Sequence, residues 1–148
     1  MINYTDIKKA INTSLTDKFK FDIYSNTSQD DFNVPCFFTD LRTISHSATS
    51  KTTDRYNIRI RIFYYPQEKN DTLDMMNMAE ELRQLFRLTF NVKDRSLNIL
   101  ESEVYLNTRN GFLEYTFRLD FLQRIDVEEF DKMESVEMNL NNTKYNIK

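Results

Sequence analysis

The residues of this chain that could act as catalysts or metal ligands are few and widely separated. The single histidine, His46, lies at the edge of a polar stretch, and the single cysteine, Cys36, lies in an apolar one. A zinc site needs three or four converging ligands, and neither residue has such companions nearby in the sequence. We therefore expect His46 to be a surface side chain and Cys36 to be a buried, unreactive thiol, with no metal bound.

One pair of carboxylates has a spacing that could support acid–base chemistry. Glu101 and Glu103 are two residues apart in a strand-like segment, so both side chains point to the same face of the strand. The favoured interpretation is different: the two carboxylates pair with Arg59, Arg61 or Arg118 on neighbouring strands, because opposite charges across strands are mildly stabilising. The chain also has one glycine, so it contains no glycine-rich phosphate-binding loop. We predict that the protein is not an enzyme and uses no cofactor.

Arginine and aromatic residues share one side of the segment RYNIRIRIFYYP, residues 55–66. Read with a period of two, one side carries three isoleucines and two tyrosines, which is typical of a strand face that packs on a core. The opposite side carries two arginines in its middle and two aromatic residues at its end, and protein interfaces are enriched in both arginine and aromatic residues. Two interpretations stay open, a solvated charged face and a face partly covered by a partner. The side chains in question are Arg59, Arg61, Phe63 and Tyr65.

Hydrophobic periodicity predicts the elements that position these residues. Helices are predicted over residues 5–19, with Thr5 as the N-cap, and over about 71–89. Strands are predicted at 21–24, 35–45, 55–65, 96–107 and 112–125, and Asn110-Gly111 is predicted to turn the last two into a hairpin. Residues 46–54 are rich in hydroxyl groups and are predicted to form a long hairpin tip.

This order of elements predicts an α+β fold with a mainly antiparallel sheet of about four long strands and two helices packed on one face. The apolar stripe of the second helix is expected to cover the apolar face of the sheet. The residues expected in this core are Ile58, Ile60, Ile62, Leu82, Leu85, Phe86, Leu113, Tyr115, Phe117, Leu119 and Phe121.

A single folded domain is predicted over residues 1–126, because a chain of 148 residues suits one domain. Residues 127–148 are charged and then rich in asparagine. They are predicted to be a C-terminal extension, either a short strand or an arm that contacts a neighbouring subunit. Within it only Val136, Met138 and Leu140 alternate with polar residues, which makes them candidate contacts.

Charge and composition argue against several classes of partner. The net charge is −3 and the isoelectric point about 5.2, so the chain does not recruit nucleic acid by its charge. No apolar run approaches the roughly 20 residues of a membrane helix, and the first residues lack the apolar segment of a signal peptide. A single cysteine excludes an intrachain disulfide and fits a reducing compartment. We expect a protein made in the cytoplasm without a membrane partner.

Four segments in a fixed order carry a resemblance to a known family. They are PCFFTDL at 35–41, RYNIRIRIFYYP at 55–66, MAEELRQLF at 78–86 and LEYTFRLDFLQR at 113–124, preceded by the N-terminal helix. This arrangement resembles the small tail terminator proteins of long-tailed phages and of phage-tail-like particles of Gram-positive bacteria. The resemblance covers roughly residues 3–126, rests on pattern and order, and includes no catalytic motif.

The resemblance implies a structural virion protein that forms a ring, usually a hexamer, which caps the tail tube and ends its polymerisation. Implied partners are further copies of the chain, the tail tube protein and, in some particles, the sheath or the head connector. The protein would act in the bacterial host cytoplasm during assembly and then remain in the tail of a virion or bacteriocin-like particle. Candidate assembly contacts are Arg59, Arg61, Phe63, Tyr65, His46, Lys51, Glu101, Glu103, Arg118, Val136, Met138 and Leu140.

Two other functions stay open at this point. A head–tail joining or tail-completion protein is built from a similar small ring-forming domain, so the sequence separates it poorly from a terminator. A small-ligand-binding α+β module belongs to a different class, and it would need a roomy apolar pocket with a few polar groups.

Overall fold

Two helices and six strands make up the part of the chain that the computed structural model describes, residues 2–25 and 32–125. The predicted α+β class is confirmed, but the number of strands was underestimated because two short strands flank the four long ones. In chain order the elements are α1 (Tyr4–Phe19), β1 (Asp22–Tyr24), β2 (Cys36–Ala48), β3 (Thr53–Tyr65), α2 (Thr72–Leu85), β4 (Thr89–Val92), β5 (Arg95–Asn107) and β6 (Phe112–Arg124).

The six strands form one mixed sheet in the order β1-β2-β3-β6-β5-β4. The four central strands have 13 residues each and pair antiparallel, whereas β1 runs parallel to β2 at the edge. Each short strand covers only one end of its long neighbour: β1 pairs with residues 36–38 and β4 with residues 95–98. Most of the outer edge of β2 and of β5 therefore has no partner strand among the described residues.

The N-terminal helix begins with a capping box two residues before the predicted cap. Asn3 is the N-cap, and its side chain accepts a hydrogen bond from the Asp6 amide at 2.9 Å. The Asp6 carboxylate accepts in return from the Asn3 amide at 3.0 Å, so two free helix-end amides are satisfied. Thr5, the predicted cap, lies inside the helix instead. The helix ends at Phe19, and the C-cap residue Lys20 adopts a left-handed conformation with φ 60°.

The second helix is shorter than predicted, and the short strand β4 begins where the predicted helix was expected to end. Asp71 caps α2 through a 3.1 Å hydrogen bond from the Asp74 amide, and the helix ends at Leu85 rather than near residue 89. Phe90 and Val92 are buried and alternate with exposed neighbours, so this short segment follows the period of a strand. It forms β4 and turns into β5 through Lys93, whose φ is 56°.

The predicted hairpin tip is also shorter than expected. Strand β2 continues to Ala48 and β3 starts at Thr53, so only residues 49–52 form the turn. His46 and Asp54, which the sequence placed in the tip, lie in the two strands and contact each other diagonally across them. A β-bulge between Thr43 and Ser45 shifts the register halfway along this hairpin.

Both helices pack on one face of the sheet, as predicted, and the sheet curls around α1. Lys93, in the turn at one edge of the sheet, forms a 3.1 Å ion pair with Asp6 of α1. Near the other edge, Thr39 donates to Asn12 of the same helix at 2.9 Å. All residues predicted for the core are buried except Leu85, which is partly buried against it. The helices contribute Ile7, Ile11, Leu15, Met75, Met78 and Leu82.

Candidate assembly surfaces

Three arginines lie directly opposite one another on the sheet face that the helices leave uncovered, which we call the outer face. Arg42 of β2 pairs in register with Arg59 of β3, and Arg59 pairs in register with Arg118 of β6. We call these three side chains the arginine row. Like charges directly opposite each other on neighbouring strands are destabilising, so a row of this kind needs compensation from nearby carboxylates.

Asp40 supplies part of that compensation at one end of the row. Its carboxylate accepts from the Arg61 guanidinium at 2.7 Å and from Arg42 at 3.3 Å. Burial raises the pKa of Asp40, but the hydrogen bonds and charges of Arg61 and Arg42 outweigh it and hold the pKa below its ordinary value. Asp40 therefore stays ionised and links two arginines of the outer face.

The other end of the row is compensated from β5 and β6. Arg118 donates to Glu101 at 2.7 Å, which is the cross-strand pairing expected for this glutamate. Arg55 binds Asp120 through two hydrogen bonds of 2.7 and 3.1 Å, and these bonds lower the pKa of Asp120. Glu103 is exposed and lies opposite Thr116, so its expected pairing with an arginine is not found in the described part of the chain.

Arg59, at the centre of the row, differs from its neighbours. Within residues 2–25 and 32–125 its side chain has no ion pair and no hydrogen bond, although Arg42, Arg55, Arg61 and Arg118 all have one. The Nε atom of Arg118, beside it, is buried without a hydrogen-bond partner in the same described residues. The middle of the outer face is therefore more positive than its edges.

The aromatic end of the outer face is covered from within the chain. Phe63 is only 8% exposed and belongs to a second apolar cluster with Cys36 and Phe38. The Phe32 ring, from the segment before β2, lies 5.0 Å from Tyr65 and 5.2 Å from Phe38, so it covers both. The presence of aromatic rings among the charges therefore requires no partner to explain it. The remaining side chains packed against this cluster are Tyr24 and Phe112.

The two residues considered first for chemistry have ordinary structural positions. Cys36 is fully buried, and burial raises the pKa of its thiol to about 11, so the reactive thiolate is not populated at neutral pH. His46 is partly exposed, as expected; it stacks on Tyr56 with ring centroids 4.4 Å apart and lies 3.1 Å from a carboxylate oxygen of Asp54. Residues 2–25 and 32–125 contain no group of three His, Cys, Asp or Glu side chains that could hold a metal. None of their helices has the length and apolar character to cross a membrane.

The free edges of β2 and β5 form a second candidate surface, on opposite sides of the sheet. Residues 39–48 of β2 and 100–107 of β5 have no neighbouring strand beyond them in the described chain. Each edge contains a bulge, at Thr43/Ser45 and at Leu100/Glu103, which leaves regular stretches at 39–43 and 103–107. Unpaired backbone groups of this kind are a template for pairing with another chain.

Comparison of the sequence with known protein families identifies the family of the chain. Residues 6–131, which run from the first turn of α1 past the end of β6, match the family model described as phage tail terminator protein. The chain belongs to the phage tail terminator family. The resemblance inferred from the four sequence segments is thereby confirmed, and family membership gives this terminator a structural role in the phage tail. No curated protein sequence matches it.

The terminator's predicted contact residues fall into three groups in the structure. Arg59, Arg61, Glu101, Glu103 and Arg118 come together on the outer face, whereas Phe63 and Tyr65 lie in the aromatic cluster and His46 at the far end of β2. Lys51 is exposed in the turn at 49–52. Val136, Met138 and Leu140 lie outside the described residues.

Sequence reasoning missed the residues at the free edges. Val104 and Tyr105 are 48% and 60% exposed, and Ile44 and Leu100 are also well exposed. In the sequence these residues belong to segments that resemble ordinary strands. They are identified as edge residues only because β1 and β4 are short and leave most of β2 and β5 without a neighbouring strand. The alignment of Arg42 with Arg59 was missed as well, because it depends on a register that the sequence does not display.

Proposed function

We propose that this protein assembles head to tail into a closed ring that caps the tail tube and ends its polymerisation. The observation that carries the proposal is the pair of free strand edges, one on each side of the sheet, in β2 and β5. A ring needs two different complementary patches on each subunit, because each copy contacts one neighbour with one patch and the other neighbour with the second.

The directions of the two edge strands suit such a ring. Since β2, β3, β6 and β5 pair antiparallel in succession, β5 runs opposite to β2. When copies stand side by side in the same orientation, β5 of one copy therefore meets β2 of the next in an antiparallel arrangement. The regular stretches at 103–107 and 39–43 provide five residues each, which is the length of a typical strand.

Exposed apolar side chains accompany these edges. Val104 points to the helix-side face but lies beyond the cover of the helices, because it pairs in register with the buried Tyr115 and is still 48% exposed. Pairing of β5 with a neighbour's β2 would bury part of Val104 and Tyr105 and satisfy free backbone groups. The proposed ring size is six, as the resemblance to other tail terminators implies.

In the proposed role, the ring contacts the last ring of the tail tube protein and, on its other side, the head connector or the sheath. It ends polymerisation by covering the surface to which the next tube ring would bind, so its action needs binding and no catalysis. Assembly takes place in the bacterial host cytoplasm, and the ring then stays in the tail of the virion or bacteriocin-like particle.

A pair of edge variants tests the head-to-tail contact. Lysine on an edge strand prevents strand pairing, so Val104→Lys should block the β5 edge and Thr43→Lys the β2 edge. Each variant alone should be a folded monomer in light scattering. Mixed together, they should form a dimer and stop there, because the intact β5 edge of Thr43→Lys can pair with the intact β2 edge of Val104→Lys.

A matched control separates edge blocking from the addition of a charge. Leu122→Lys changes an exposed apolar residue of the central strand β6 and should leave ring formation unchanged. If Thr43→Lys alone forms a dimer, the contact is β5 with β5 and has twofold symmetry, which contradicts a ring. Rings from all three variants would exclude strand pairing as the contact.

Particles that lack this protein distinguish termination from head–tail joining. Loss of a terminator should give tubes of abnormal, extended length in electron micrographs, whereas loss of a joining protein should give tails of normal length without heads. No observation favours the ligand-binding alternative: the cavity between α1 and β2, of about 390 Å³, is lined mainly by polar residues such as Lys8, Lys9, Asn12 and Asp40.

A further inference from the structure

The ion pairs of the outer face leave the centre of the arginine row without a carboxylate. Four arginines, Arg42, Arg55, Arg61 and Arg118, pair with Asp40, Glu101 and Asp120, whereas Glu103 and Glu114 of the same face pair with no arginine in the described residues. Arg59 has no ion pair in the described residues, and Arg118 Nε is buried there without a partner. This part of the face is suited to an acidic ligand.

The chain itself contains an acidic stretch that follows β6 in the sequence. Residues 126–137 read DVEEFDKMESVE, with six acidic residues and one lysine. We call this stretch the acidic segment. It follows directly after Ile125, whose amide donates to the Thr52 carbonyl at 3.0 Å, so the chain leaves β6 at the end of the sheet next to the β2–β3 turn.

The acidic segment is long enough to reach the arginine row from this point. Arg124 pairs in register with Thr53, and Arg118 with Arg59, so the row lies six residues back along the strands. At about 3.4 Å per residue this distance is roughly 20 Å. About six extended residues span it, and the acidic segment has twelve, which leaves enough for a reversal of direction.

We infer that the acidic segment binds the arginine row of its own chain, with carboxylates of residues 131–134 beside Arg59 and Arg118. Attachment to the same chain favours this occupant over any free acidic partner, because it raises the effective concentration to about the millimolar range. The contact explains why three arginines can stand opposite one another at the centre of a face. It does not depend on ring formation, so the two proposals can fail independently.

Limited proteolysis of the full chain tests the contact. Glutamyl endopeptidase cleaves after the glutamates of the acidic segment, and mass spectrometry reports cleavage at Glu134 and Glu137 separately. In dilute protein, cleavage should be slow at low salt and faster at high salt, because screening weakens ion pairs. Arg59→Glu should speed cleavage about fivefold at low salt, the upper range for exposed ion pairs, and Arg42→Glu should act in the same direction.

A control and a charge swap make the outcome specific. Arg109→Glu changes an exposed arginine in the β5–β6 turn and should leave the cleavage rate unchanged. Adding Asp131→Lys and Glu134→Lys to Arg59→Glu should restore slow cleavage at Glu137, because the charges are again opposite. Melting temperature verifies that each variant is folded.

Three results would overturn the inference. Equal cleavage rates for Arg59→Glu and Arg109→Glu would show that the arginine row does not hold the segment. Protection that appears only at concentrations where rings form would assign the bound segment to a neighbouring copy. Binding of a short DNA duplex that Arg59→Glu abolishes, with cleavage unaffected, would make the row a phosphate-binding surface instead.

Discussion

The two faces of the sheet are built from the same strands but are specified in different ways. On β3, Ile60 is 2% exposed beneath the helices, and the adjacent Arg59 stands in solvent at the centre of the arginine row. The helix-side face is determined by alternation within each strand, since one residue in two must be apolar. The outer face is determined by register between strands, because only register brings three arginines and their carboxylates together.

This difference predicts where substitutions act. On the helix-side face a side chain contributes through burial, so its removal affects stability whatever its neighbours are. On the outer face a side chain contributes through ion pairs, so the effect of its removal depends on the charged residue with which it pairs. The comparison of the two faces is therefore tested by two kinds of substitution. One kind compares a buried with an exposed residue on the helix-side face, and the other compares a paired with an unpaired charge on the outer face.

The largest effect is expected for Ile60→Ala. The residue is 2% exposed in the main core, and its truncation should lower the free energy of unfolding by about 2–5 kcal/mol. Val104→Ala is the matched control, because Val104 points to the same side of the sheet but is 48% exposed, and its truncation should change stability far less. Denaturant unfolding measures both. Equal losses for the two variants would mean that the helices do not decide which residues form the core.

A smaller effect is expected for a polar residue on the helix-side face. Gln123 is 4% exposed; its side chain accepts from the Ile2 amide at 2.6 Å and donates to the Ile2 carbonyl at 2.8 Å. Gln123→Ala leaves both backbone groups unpaired and should lower the free energy of unfolding by about 1–3 kcal/mol. Gln84→Ala, at an exposed position of α2, should have almost no effect. A silent Gln123→Ala would show that the start of the chain is not held by this residue.

The ion pairs of the outer face should make the stability of the protein depend on pH. Arg61 and Arg42 hold the pKa of Asp40 below its ordinary value of 3.8 in spite of burial, so the folded state favours the carboxylate. The resulting stability is present above the ordinary pKa and is lost as the pH falls through the folded-state pKa. Asp40→Asn should therefore flatten the acid decline of the melting temperature, by no more than the equivalent of about 1 kcal/mol.

Glu103→Gln is the control for this pH dependence. Glu103 is exposed on the same face and has no ion pair within the described residues, so its substitution should leave the acid decline as it is in the wild type. An unchanged acid decline in Asp40→Asn would show that the Asp40–Arg61 pair does not contribute to stability in solution.

The contrast between the two faces also explains which structural features the sequence could predict. The alternating isoleucines of β3 and apolar residues of β6 were assigned to the correct face, because that assignment needs only one strand. The sequence does not reveal that Arg42 meets Arg59, since this alignment depends on the turn at 49–52 and on the bulge near Thr43. Phe32 covers the aromatic cluster from outside any strand or helix, so no periodicity identifies it.

The short strand β4 was missed for a related reason, whereas β1 corresponds to the strand predicted at 21–24. Strand β4 has only four residues, and the predicted second helix ended near its first residue, so Phe90 and Val92 were assigned to no element. The free edges of β2 and β5 depend on how far β1 and β4 extend, and this is decided by tertiary packing. The candidate ring contacts at Val104 and Tyr105 could therefore be found only from the structure.

The smallest effect is expected for Arg59→Thr, and its sign tests the interpretation of the outer face. Removal of Arg59 relieves like-charge contacts with Arg42 and Arg118, and threonine is well suited to a strand. At high salt, where attraction to the acidic segment is screened, the free energy of unfolding should change by less than about 0.5 kcal/mol. At low salt the variant should be slightly less stable than the wild type, because it loses the contact that compensates the arginine row. Denaturant unfolding at the two salt concentrations measures this difference. A gain in stability at low salt would mean that repulsion within the row is not compensated, and the outer face would then be a surface awaiting a partner from another subunit.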